Sequence, residues 1–291
     1  MPEVLARRHI PTTKNSYQTH KYMKLNRKNL FLAASAAITV AFTAPAAFAA
    51  PVTWTGATAG TWNTAGNWSP SGVPTIADDL TILGPSNVAG LLNIVFATNS
   101  ANSINFTNTA ATTLTSVGGQ TLTLGAGGIT TGAGSVAIGA NSGNAINITL
   151  NAPQTWNVGA GGLTVTNFVG GSALTKTGAG NLLFNTGAGN GFTGGFNVNG
   201  GTATLDFVNL GTPTNLIAPT NALQVNNAAL TITGRNVAAA TTAQTFAGTT
   251  LGAGRNTINI AKGALATSAT LNLGALTANA GSTTIFSPTT A

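Results

Sequence analysis

Ionisable side chains that could move protons or hold a metal are few in this sequence. After residue 49 they number three acids, Asp78, Asp79 and Asp206, and four bases, Lys176, Arg235, Arg255 and Lys262. That region lacks His, Cys, Glu and Tyr, because Glu3, His9, Tyr17, His20 and Tyr22 all precede it. Acid–base catalysis would therefore fall to Asp or Lys. Glycoside hydrolysis needs two carboxylates facing each other across a substrate. Asp78 and Asp79 are neighbours, so a strand points them to opposite faces, and Asp206 lies far along the chain. A serine nucleophile would have no histidine base, and a lone Lys176 or Lys262 is a poor substitute. No cluster offers zinc ligands. These residues predict a chain that is not an enzyme and carries no cofactor.

Two constellations could still bind. Trp54, Trp62 and Trp68 fall within "WTGATAGTWNTAGNWSPSGVPTIADDLTIL", in a chain with only 4 tryptophans. One reading is a hydrophobic cap over the end of a stacked fold; the other is an aromatic platform for sugar rings. Asp78 and Asp79, with nearby carbonyls, suggest a weak calcium site, although calcium takes about six to eight oxygens. Gly189-x-Gly191-x-x-Gly194 spells a dinucleotide fingerprint, but that motif needs a helix after it. The residues that follow, "GFNVNGGTATL", are strand-like, so a glycine corner is the better reading. Trp156 alternates with Val158 in "APQTWNV" and reads as core.

The formal charge of +7 hints at a nucleic-acid partner until the bases are located. Arg7, Arg8, Lys14, Lys21, Lys24, Arg27 and Lys28 stand in the first 28 positions. Beyond residue 49 the balance is only +1, with scattered bases and no patch to neutralise phosphates. No nucleic-acid partner is expected. The leader itself reads as an export signal. Met23–Lys28 is a basic start, Leu30–Phe42 an apolar run, and Ala47-Phe48-Ala49 a small-x-small cleavage site. The true start is placed at Met23, and cleavage leaves Ala50 first. An uncleaved anchor is the alternative, but the run is mostly alanine and Pro45 interrupts it.

The elements that must position these residues are strands. Helix-favouring Glu, Lys, Arg and Met are nearly absent, and apolar residues alternate with Thr and Asn. In "AINITL", Ile146, Ile148 and Leu150 face one way, with Asn147 and Thr149 opposite. Similar runs occur at 103–106, 121–124, 135–138, 155–158, 163–168, 181–184, 195–198, 202–207, 223–225, 230–232, 257–260 and 270–273. Glycine-rich breaks separate them and supply tight corners. The spacing suits a sandwich, a barrel or a solenoid. Similar units ("TLTLGAGGIT", "NVGAGGLTVT"), sparse aromatics and outward Thr and Asn that can form ladders favour the solenoid. Roughly 20–25 residues per coil predicts about eight to ten coils. At roughly 4.8 Å per coil, the rod would be about 40–50 Å long. No cysteine is present to staple it.

One stretch carries a resemblance. Leu174-Thr175-Lys176, Gly178, Gly180, Leu182 and Phe184 are followed by Phe192-Thr193-Gly194-Gly195 and Val198-Asn199-Gly200-Gly201-Thr202. This pattern resembles the autotransporter-associated β-strand repeat of secreted bacterial passenger proteins, with Phe192 where Tyr is common and Ala203 where Leu is common. The full motif occurs once, and weaker echoes run through 85–291. The resemblance implies a right-handed parallel β-helix outside the cell, with export and surface display or adhesion as themes. The chain departs from the family in showing no stretch like a membrane barrel, whose strands are about ten residues of outward apolar pattern.

Together these observations predict an all-β protein. Residues 1–49 are leader and signal peptide, 50–84 a Trp-rich N-terminal cap, and 85–291 a β-helix repeat region truncated at its C-terminus. The expected role is a non-catalytic, secreted or surface-exposed rod contacting glycans, matrix or other cells. Coil ends are expected to self-associate, and the membrane to be reached only through a barrel or anchor elsewhere. The alternative is an extracellular carbohydrate-binding or polysaccharide-active β-helix.

Overall fold

In the computed structural model, the described residues are 50–56, 61–83, 91–94, 99–116, 119–139, 146–167, 170–186 and 189–290. The leader, with its signal and Met23, lies outside them. The described chain is all-β, a solenoid of about 8 turns, with one three-residue 3₁₀ turn, Ala65–Asn67, as its only helical element among the described residues.

Each coil takes up to three short strands, one per face. The first face stacks Ala50–Trp54, Asp78–Ile82, Asn99–Phe106, Gln120–Thr131, Gln154–Asn157, Leu174–Thr177, Phe196–Asn199, Ala222–Asn226, Gly248–Leu251 and Ala275–Ala278. The second runs from Leu91–Ile94 through Val136–Ile138, Asn181–Phe184 and Thr202–Asp206 to Gly254–Lys262 and Ser282–Thr290. A shorter third face holds Ile146–Leu150, Gly170–Gly171 and Gly191–Phe192, and further along Thr241–Thr245 beside Ser268–Asn272. Pairing between coils is parallel. Registers step by 19 residues at the short end, Leu163 beside Leu182, and by 28 at the long end, Ala229 beside Thr257.

Alternation explains why these segments stack. Leu182, Ala203, Leu230 and Ile258 occupy one interior column, and Phe184, Leu205, Ile232 and Ile260 the next. Leu182, Phe184, Leu205 and Ile232 are fully buried. Each such side chain contributes about 1.5–3 kcal/mol of apolar burial, which must offset the entropy of ordering a glycine-rich chain. Buried amides tie one coil to another. Gln154 Nε2 donates to Leu124 O, Asn190 Nδ2 to Leu216 O, Asn221 Nδ2 to Phe192 O and Gln244 Nε2 to Ile217 O.

Every expected strand overlaps an observed one, among them Asn181–Phe184, Thr202–Asp206 and Ala229–Thr233. Sequence alternation misses Gly248–Leu251, Ala275–Ala278 and Ser282–Thr290, whose Gly, Ala and Thr content gives no clean apolar period. Coil lengths vary from turn to turn, because loops such as 207–221 are inserted between strands in some coils and not in others.

Candidate functional site

Most of the motif residues, Lys176, Gly178, Gly180, Gly200 and Gly201, meet at the corner between the first and second faces of the solenoid, while Gly194 and Gly195 turn the corner between the third and first. Lys176 lies on the inward side of Leu174–Thr177, in the column between Trp156 and Val198, and is 0 % exposed. Its Nζ donates to Gly178 O at 2.6 Å and to Gly200 O at 2.7 Å, so one ammonium fastens its own corner to that of the next coil. Both partners are neutral carbonyls. Burial pushes the Lys176 ammonium down to about 8 from its ordinary 10.5. Gly201 completes the corner at φ +59°, and a Cβ there would lie 2.4 Å from Lys176 Nζ. Gly180 is required for a different reason: a Cβ would stand 1.8 Å from Gly159 O of the preceding coil. Gly194 and Gly195 form the turn between the third face and Phe196–Asn199, where Gly195 O accepts from Leu174 N at 3.1 Å. The motif thus builds a sealed corner, with its cation turned away from solvent.

The three tryptophans form a cluster at the N-terminal end of the first sheet. Trp54 stacks in register on Ile82 and pairs across an antiparallel bridge with Trp68. The Trp54–Trp68 and Trp62–Trp68 ring centroids are each 5.0 Å apart in edge-to-face geometry, and Trp68 Nε1 donates to Trp62 O at 2.7 Å. All three rings are buried. The antiparallel segment Trp68–Ser69 closes the sheet beyond Ala50–Trp54. This arrangement caps the sheet and leaves none of the three rings with an open face of the kind that stacks on a sugar.

Asp78 and Asp79 diverge, as adjacent strand residues should. Asp78 Oδ2 accepts from Thr75 N and Thr75 Oγ1, tying down the turn before its strand. Asp79 Oδ1 accepts from Asn102 Nδ2 and Ser103 Oγ of the next coil. Each carboxylate is committed to a separate set of donors, and no oxygen cage forms between them. Asp206 accepts from Val208 N at 2.9 Å. Burial raises its pKa, partly opposed by that hydrogen bond. The structure does not bring the three acids together. Among the described residues, no three His, Cys, Asp or Glu side chains gather to hold a metal. The dinucleotide-like glycines are followed by the strand Phe196–Asn199 in place of a helix, so they turn a corner.

Outward Thr and Asn do form ladders. Asn197 Nδ2 donates to Thr175 Oγ1 at 3.3 Å, Thr204 Oγ1 to Asn181 Oδ1 at 3.0 Å, and Asn259 Nδ2 to Thr231 Oγ1 at 3.4 Å. Sequence reasoning overlooked the buried amides Gln154, Asn190, Asn221 and Gln244. In a chain dense with Asn and Gln, nothing marks the few that turn inward. The chain matches no family model, no curated protein and no solved structure.

Proposed function

We propose that this chain is an exported, non-catalytic structural rod that presents a polar surface for contact with other cells, matrix or glycans. The observation that carries the reading is the coil built on Leu174–Phe207, where the repeat motif folds into stacked parallel strands with its lysine and most of its glycines at a sealed corner. The motif is the one that resembles autotransporter-associated repeats, and the leader reads as an export signal. Sparse charge and dispersed acids support a mechanical role over a catalytic one. Exposed Leu276, Ile285 and Phe286 on the last described coil support self-association through that surface. The test is the intact mass of the protein in fractionated native cells. A species beginning at Ala50 in the medium or at the surface is expected; a cytoplasmic species that retains residues 23–49 would overturn export. Enzymatic action would be revealed by turnover on a polysaccharide panel that Asp79→Asn and Asp206→Asn abolish.

A further inference from the structure

Core packing fixes the inward side of the first sheet, whereas its outward side is free to vary. It nevertheless repeats. One outward column runs Thr155, Thr175, Asn197, Gln224, Thr250 and Thr277 in direct register. Two residues along the strands a second runs Asn105, Thr130, Asn157, Thr177, Asn199 and Asn226. Every residue in both columns is at least partly exposed. Neighbours along a column are spaced by the strand separation, roughly 4.8 Å, and the columns lie two residues apart, roughly 6.6 Å. The result is a regular lattice of hydroxyl and amide groups. Nearly every point can both donate and accept a hydrogen bond, and each Thr adds a methyl.

Charge narrows the partner. From Asn105 to Thr277 neither column holds an ionisable residue. Beyond Thr155 the first column runs on through Gly128 and Ser103 to Asp79, whose carboxylate is taken up by Asn102 and Ser103. Asp206, Arg255 and Lys262 belong to the second sheet. The second sheet is also irregular outside: its outward column passes through Ala137, Thr164, Leu183 and Thr204. Anionic lipid or nucleic acid would find no counter-charge on the first face, so a neutral partner is its complement. A single glycan chain is usually gripped by a pocket or an aromatic ring, and these columns contain no ring. A rigid, neutral, two-dimensional array of donors and acceptors instead complements another of the same kind, the oxygen lattice at the surface of ice. Waters held on such a face are already ordered, and a rigid sheet loses little freedom on binding.

We propose that the outward face of the first sheet, from Asn105 to Thr277, is an ice-binding surface that holds water in the register of the crystal. This goes beyond the contact-rod reading and does not depend on it, since export and ice binding are measured separately. The test is partition of the full chain into slowly growing ice, with inhibition of ice recrystallisation as a second readout. The protein is expected to enter the ice and keep its grains small. The variant Thr130→Tyr/Thr177→Tyr should weaken the effect by about tenfold or more while circular dichroism and melting stay unchanged. Thr204→Tyr/Thr231→Tyr, on the second sheet, should retain it. Exclusion of the folded wild type from ice overturns the proposal. Equal loss in both double variants also overturns it, as does retention on crystalline cellulose or chitin without entry into ice.

Discussion

The first and last described coils of the solenoid meet the same physical problem and solve it differently. A stacked sheet ends in interior side chains with nothing above them and in strand edges with unused hydrogen bonds. At the N-terminal end, Trp54, Trp62 and Trp68 cover the first interior columns, and Trp68–Ser69 closes the edge by antiparallel pairing. At the other end, Phe286 stands in the interior column above Ile258, and Leu276 in the column above Thr249. They are 51 % and 52 % exposed, because no described strand stacks over them. Position in a column is therefore not enough to bury a residue; a coil on either side is needed. Stability in this fold is a nearest-neighbour property, and end residues hold only half of it.

The contrast is broken most directly at the cap. Trp62 is 0 % exposed and packs edge-on against Trp68. Trp62→Ala should cost about 3–5 kcal/mol, the range for emptying a buried tryptophan site. Phe286→Ala removes a ring already half in solvent and should cost about 1 kcal/mol or less. Urea midpoints followed by circular dichroism would measure both. Equal losses would mean that the Trp cluster merely decorates the end without covering it.

Glycine corners give the next largest effect. Gly201 and Gly281 share a left-handed backbone, at φ +59° and +77°, so alanine strains either. Their surroundings differ. A Cβ on Gly201 would lie 2.4 Å from Lys176 Nζ and 2.5 Å from Gly178 O, whereas on Gly281 the nearest atom is 4.0 Å away. Gly201→Ala should cost about 2–4 kcal/mol, combining strain with overpacking. Gly281→Ala should show only the strain, about 1–2 kcal/mol. Similar costs at both sites would show that the motif corner is looser than its geometry implies.

Which of these features can be read in the sequence follows from their range. Alternation in "AINITL" or "NLLF" is local, since the pleat exposes every second residue, so those strands and the solenoid class are legible. The glycine corners of the motif are legible for the same reason. The inward turn of Lys176 is not, because a lysine between two threonines reads as an outward polar residue. Only the register that stacks it between Trp156 and Val198, from coils 20 and 22 residues away, places it inside. The burial of the tryptophans is equally non-local, since it depends on a bridge between Trp54 and Trp68. The Thr and Asn columns lie between these cases. Their outward direction can be read, but their alignment into a lattice depends on coil lengths that vary.

Lys176 sharpens the comparison through pH. Its folded pKa, about 8, is below its ordinary 10.5, so the unfolded chain binds more protons between those values. Stability from this group should therefore rise as pH increases from about 8 to 10.5, by about 1–3 kcal/mol, and be lowest below pH 8 where both states are charged. Lys176→Met should flatten that rise, while leaving Gly178 O and Gly200 O without their donor. A slope that survives Lys176→Met would assign it to other groups.

The smallest effect on folding should carry the largest effect on assembly. Gly254 N bonds back to Gly281 O, and parallel pairing then turns alternate peptides of Ser282–Thr290 outward, those of 282, 284, 286 and 288. Pro288 falls in that outward set, so its missing N–H costs the ladder nothing and removes one donor from the open edge. That single interruption is weak protection beside the exposed Leu276, Ile285 and Phe286, in a stretch from 263 to 291 that contains no charged residue. Leu276→Lys/Phe286→Lys should change folding stability by no more than about 1 kcal/mol. It should also convert self-associated protein to monomer in light scattering, because two like charges would then face each other across any pairing of final coils. Wild-type protein that is already monomeric at high concentration would sink the idea. It would show that the one proline, with the twist of a short edge, suffices where the other end uses three buried tryptophans.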